Sequence, residues 1–166
     1  MKKIFGTLLL AIIIVPAFSQ DLKKFHLYEP NDNAEQKIAA AVKQARQQHK
    51  HVFVQIGGNW CIWCARFHDF VTNDASIDSL IKADYVVYHL NWSDENRNQK
   101  LLTKYGFPQR FGFPVFLIIN AEGKLLHIQN SGYLEDGAKS YKKDLVMGFL
   151  MDWRPAALDP KQYKDQ

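Results

Sequence analysis

Cys61 and Cys64 stand three positions apart and are the only two cysteines in the 166 residues. A Cys-x-x-Cys pair can be half of a zinc site, an inert pair or a redox couple. A structural zinc site wants four ligands, usually a second cysteine pair or two closely spaced histidines. Here the six histidines are scattered, so no metal is expected. Copper delivery would want further soft ligands, and Met147 and Met151 lie far along the chain from the motif. A structural bridge normally closes a long loop, whereas one across two residues removes little entropy from the unfolded chain. Redox chemistry is the better account, because thiol–disulfide exchange needs an outer nucleophile and an inner thiol that resolves the mixed disulfide. Trp60 and Trp63 flank Cys61 and would form an apolar rim for extended substrates, with Trp63 exposed. His68, one turn beyond Cys64, reads as a solvated helix residue.

The elements around the pair would supply what the chemistry requires. Val52 to Ile56 is short, apolar and β-branched, as a buried strand would be. Gly57-Gly58-Asn59 breaks it, and a helix is expected to start at the cysteines. Unpaired N–H groups and the positive end of that helix would then face Cys61 and favour its thiolate. Ahead of the strand, Asn31, Asp32 and Asn33 are candidate caps for a helix over 34–49, with Ile38, Ala41, Val42 and Ala45 as its buried stripe. A short strand is expected at Phe25 to Tyr28. After the motif the pattern predicts a helix over 76–82, a strand over 85–91, a polar excursion from Trp92 and a helix reaching Tyr105. Val115 to Ile119 and Lys124 to Gln129, joined at Ala121-Glu122-Gly123, read as a hairpin. A last helix is expected over 139–153, stopped by Pro155. This order calls for an α/β fold, a mixed sheet of four to five strands with helices on both faces.

Length and composition are those of one ordinary globular domain: 47% of residues are hydrophobic and 23% charged. The net charge of +4 carries no basic run, so nucleic acid is not an expected partner. Lys2 and Lys3, an apolar stretch over 4–15, Pro16 and the small residues of Ala17-Phe18-Ser19 read as an export signal cleaved after Ser19. That stretch is shorter than the roughly 20 residues a bilayer core requires. The organisation expected is thus a signal peptide over 1–19, a lead-in over 20–33 and one domain over 34–166, working as a monomer in the periplasm or outside a bacterial cell.

Gly58-Asn59-Trp60-Cys61-Ile62-Trp63-Cys64 after its strand, with Gly112-Phe113-Pro114-Val115 leading into the hairpin, resembles the thioredoxin superfamily. More narrowly, the chain is similar to the bacterial secreted thioredoxin-like proteins. The resemblance implies a thioredoxin fold, a cis Phe113–Pro114 bond beside the dithiol, and substrate contacts from the Phe113 backbone and Pro114. It also marks a departure. A buried Asp six residues before the first cysteine, thought to relay protons, is here Gln55, which cannot take a proton near neutral pH. A family Lys near that Asp falls at His89, a substitute proton carrier if it titrates near neutrality. The function implied is thiol–disulfide exchange through Cys61 and Cys64 on cysteine-containing exported proteins. The reductase or isomerase direction is favoured, with electrons from a membrane or periplasmic donor and no cofactor. The competing reading is a binding or chaperone-like module without turnover.

Overall fold

The computed structural model describes residues 22–164. The export signal expected over 1–19 lies outside them. Among the described residues no helix is long and apolar enough to cross a membrane.

Every residue of β1 (His51–Gly57) is buried, so its side chains alternate between two covered faces. Val52, Val54 and Ile56 point into one core, and Phe53 points into the other. β3 (Val115–Ile119) divides in the same way, with Val115, Leu117 and Ile119 on the first face and Phe116 and Ile118 on the second. These two strands form the centre of a four-stranded sheet ordered β2-β1-β3-β4. β2 (Tyr85–Asn91) runs parallel to β1, while β3 is antiparallel to β1 and to β4 (Leu125–Asn130). The mixed sheet and the hairpin are as the sequence pattern predicts, with four strands.

α1 (Ala34–Gln48) covers the first face, burying Ile38, Ala41 and Ala45, and α4 (Gln99–Lys104) adds Leu101 and Leu102. Asn33 caps α1 by accepting from the Gln36 N–H, and His49 ends it in the left-handed region. The second face carries α2 (Ile62–Asn73), α3 (Ala75–Asp84) and α5 (Lys143–Asp152). Asp74 caps α3 and pairs with Lys143 at 2.7 Å, which joins α3 to α5.

Three expectations need correction. No strand forms at Phe25 to Tyr28; after a short 3₁₀ turn at Leu22–Lys24 the chain is irregular. α3 is longer than the 76–82 expected, because Asp74 supplies a cap ahead of Ser76. The last helix starts four residues late. The Asp136 carboxylate accepts the N–H groups of Ala138 and Ser140 and turns the chain there. Tyr141 then bridges to Glu135 as extended backbone, so helix can begin only beyond it.

Candidate active site

The strand β1 ends at Gly57, the chain turns through Gly58-Asn59-Trp60, and Cys61 becomes the N-cap of α2. Its sulfur accepts the Cys64 N–H at 3.1 Å, so an N–H of the helix's first turn already points at Cys61 Sγ. Cys61 and Cys64 form a disulfide with their Cα atoms 5.2 Å apart. Cys61 retains 3% exposure and Cys64 none. The expected order, outer Cys61 and inner Cys64, is kept, but an openly exposed nucleophile is not found. Phe25, Leu27, Trp63 and Phe113 pack against the buried cluster of Tyr28, Cys61 and Cys64.

The cover from the N-terminal side is tied down by one residue. The Asn59 side-chain oxygen accepts the N–H groups of Leu27 and Tyr28, both at 3.0 Å, and its amide donates to the Tyr28 carbonyl at 2.9 Å. Residues 25–29, the polar lead-in of the sequence pattern, therefore form a strap across the loop that carries Cys61. Tyr28, with 1% exposure, inserts its ring behind the disulfide. The Gln55 amide donates to the Tyr28 hydroxyl at 2.7 Å and to the Cys64 carbonyl at 3.4 Å. Burial holds the Tyr28 phenol far above its ordinary value, against the opposing pull of Gln55, so it keeps its proton.

Two glycines make this packing possible. A Cβ on Gly57 would collide with Cys64 Sγ and lie 2.8 Å from the Tyr28 hydroxyl oxygen. One on Gly58 would collide with the Trp60 indole nitrogen and lie 2.9 Å from the Trp92 carbonyl. That second gap admits a hydrogen bond from Trp60 Nε1 to the Trp92 carbonyl at 2.9 Å.

Trp60 is 50% exposed and meets Trp92 and Phe113 edge-on, with ring centres 6.0 and 5.6 Å away. Trp92 and Phe113 are themselves 4.8 Å apart. The aromatic rim of the site is therefore Trp60, Trp92 and Phe113, rather than Trp60 with Trp63. Trp63 is half-buried instead of exposed: its ring meets Tyr141 edge-on at 5.7 Å and carries the Arg66 guanidinium 4.6 Å above it. The Phe113–Pro114 peptide bond is cis and Pro114 is buried.

His89 is paired with Gln55 in the β1–β2 register and stands 5.8 Å edge-on from Tyr28. It does not keep near-neutral titration: burial, reinforced by His68, pulls its pKa down to about 4. His68 is part-buried against Phe25 and His89 rather than solvated. Tyr28, Asn59 and Trp92 were not singled out by the sequence pattern. The only signal for Tyr28 is an aromatic pair, Phe25 and Tyr28, inside an otherwise polar stretch. Among the described residues no cluster of three or more His, Cys, Asp or Glu side chains could hold a metal ion.

The arrangement can pass two electrons between its own disulfide and another. The family described as Thioredoxin-like matches residues 33–121. A disulphide isomerase from Xylella fastidiosa Temecula1 superposes with a TM-score of 0.65 at 23% identity, over 75% of this chain and 94% of that one. The C-terminal domain of DsbD from Neisseria meningitidis superposes in its oxidised form with a TM-score of 0.53 at 19% identity, over 74% and 97% of the two chains. Its reduced form gives the same TM-score at 20% identity. These likenesses establish a shared fold. No curated protein matches the sequence.

Proposed function

Because this chain belongs to the thioredoxin-like family, we propose that it is a thiol–disulfide oxidoreductase acting on the disulfides of exported proteins. The observation that carries the reading is the position of the Cys61–Cys64 disulfide, at the N-terminus of α2 with Cys61 the outer member. In the reducing direction the Cys61 thiolate attacks a substrate disulfide, forming a mixed disulfide and releasing one substrate thiolate. Cys64 then attacks Cys61 Sγ, the second substrate thiolate leaves, and the internal disulfide forms. Two electrons have passed to the substrate, and a periplasmic or membrane dithiol donor restores the protein.

Helix α2 contributes by stabilising negative charge on Cys61 through its first N–H groups. Trp60, Trp92 and Phe113 offer an apolar surface beside that sulfur, and Phe113 and Pro114 offer backbone to an extended chain. The reductase or isomerase direction is preferred because no cation lies between the cysteines. The protein is read as exported and monomeric.

A specific observation favours a second reading. With only 3% exposure, Cys61 could belong to a binding module whose disulfide never turns over. Insulin reduction driven by dithiothreitol separates the two. An oxidoreductase accelerates precipitation and loses the effect on Cys61→Ser; a binding module gives the uncatalysed rate with either chain. Expression of Cys64→Ala in the native host then identifies substrates as mixed disulfides on Cys61.

A further inference from the structure

Among the described residues, nothing on the family's usual relay position can give or take a proton near neutrality: the residue there is Gln55, and its amide is turned to Tyr28. The Tyr28 hydroxyl and Cys64 Sγ border one small space, since both would contact a single Cβ added to Gly57. Gln55 fills a lone pair on the phenol oxygen by donating to it. The phenolic proton is thereby left to point elsewhere, and no carbonyl or carboxylate among the described residues accepts it. Tyr28, Cys61 and Cys64 form one buried cluster, from which competing water is excluded. A disulfide sulfur is a poor acceptor, whereas a thiolate is a strong one, and hydrogen bonds to a charged partner are roughly twice as strong as neutral ones.

We propose that the Tyr28 hydroxyl is the hydrogen-bond donor that receives Cys64 when the disulfide opens, with Gln55 as the positioning residue that aims it. An incoming thiolate attacks Cys61 Sγ, the new S–S bond forms, and the Cys61–Cys64 bond breaks with its electron pair leaving on Cys64. That thiolate accepts the Tyr28 O–H without taking the proton. A second donor thiol displaces the first as an external disulfide and leaves the reduced pair. In the reverse direction the same bond holds the Cys64 sulfur in line with the mixed disulfide on Cys61. Tyr28 thus connects the N-terminal strap to the redox state of the centre.

The consequence for turnover rests on the oxidoreductase reading, but the test needs no protein substrate. The protein is equilibrated with reduced and oxidised dithiothreitol, and Tyr28→Phe is compared with the native residue. The phenylalanine keeps the ring in place and removes the hydroxyl, which is both the proposed donor to Cys64 and the acceptor of the Gln55 amide. Loss of the bond makes the reduced form harder to reach, so the equilibrium constant for reduction falls about tenfold, which corresponds to about 30 mV towards more negative potential. The rate of disulfide opening by dithiothreitol falls by a similar factor. A potential and an opening rate both unchanged within about twofold, with the variant folded, overturn the proposal. Should the variant not fold, the native chain carrying ¹³Cζ-labelled tyrosine decides. A Tyr28 resonance that shifts on reduction supports the bond, and one that stays put between the two redox states overturns it. Failure of the native protein to reduce insulin would count against the proposed function alone. An unaltered dithiothreitol equilibrium in Tyr28→Phe would count against Tyr28 alone.

Discussion

At the scale of single residues, the site is built from groups that gain their properties by being buried. His89 is the clearest case. Its pKa lies at about 4 in the folded chain, against 6.5 for a free side chain, first through burial and then through His68. Between those values the unfolded chain binds the proton and the folded chain does not. The stability His89 allows is therefore complete above about pH 6.5 and is lost as pH falls towards 4, by about 3 kcal/mol. Urea denaturation at pH 7 and pH 4 should show a smaller loss in His89→Gln by roughly that amount; equal losses in the two chains would remove His89 from the account. Gly57 is a steric counterpart. Its missing Cβ is the space shared by Cys64 Sγ and the Tyr28 hydroxyl. Gly57→Ala should cost about 1–3 kcal/mol or more, since the bonded sulfur cannot rotate away. An unfolding free energy within about 0.5 kcal/mol of the parent would show that the strap yields freely instead.

At the scale of elements, the strap over residues 25–29 decides how open the dithiol is. Asn59 holds it with three hydrogen bonds, two accepted and one donated. Asn59→Ala leaves those backbone groups to water, at about 1–3 kcal/mol in total after solvent exchange. The strap should then come loose while the sheet stays intact. Limited proteolysis should cut ahead of Ala34 faster, and Cys61 in the reduced chain should be alkylated several-fold faster. Unchanged proteolysis and unchanged alkylation would mean that ring packing alone holds the strap. This element is also where the sequence was least legible. β1 and β3 were evident as short apolar runs with glycine beside them, and α1 and the Cys61 helix because their apolar residues recur at the helical period. The strap has no hydrogen-bond ladder and no period; Tyr28 is buried through contacts with Gln55 and Cys64, which lie 27 and 36 positions away. Trp92 was hidden for the same reason, its partners Trp60 and Phe113 being brought to it only by the sheet. Trp63 was misread because its cover, Tyr141, sits beyond the hairpin in a stretch whose pattern looked helical.

At the scale of the whole molecule, the two cores are one cooperative unit because they share strands. β1 lies between β2 and β3 and sends Val52, Val54 and Ile56 into the layer under α1. On the other side it sends Phe53 against the rings of Phe67, Tyr85, Phe116 and Phe149, at centre separations of 5.2 to 6.2 Å. The same strand runs on through Gln55 to Gly57 and the turn that sets Cys61, so the accuracy of the site depends on this packing. Truncating Phe53 to alanine removes a fully buried ring at the junction of four others, and such changes cost about 3–5 kcal/mol. Against a typical total of about 5–15 kcal/mol, that is a large share. Phe53→Ala should unfold in urea at a much lower midpoint but in a single step, with far-ultraviolet and tryptophan signals coincident. Trp60 and Trp92 report from the rim of the site, and the far-ultraviolet signal reports from all the helices, so a split transition would be visible. Two separated steps would mean that the α1 layer survives without the aromatic layer, and that the position of Cys61 is not secured by the sheet as a whole.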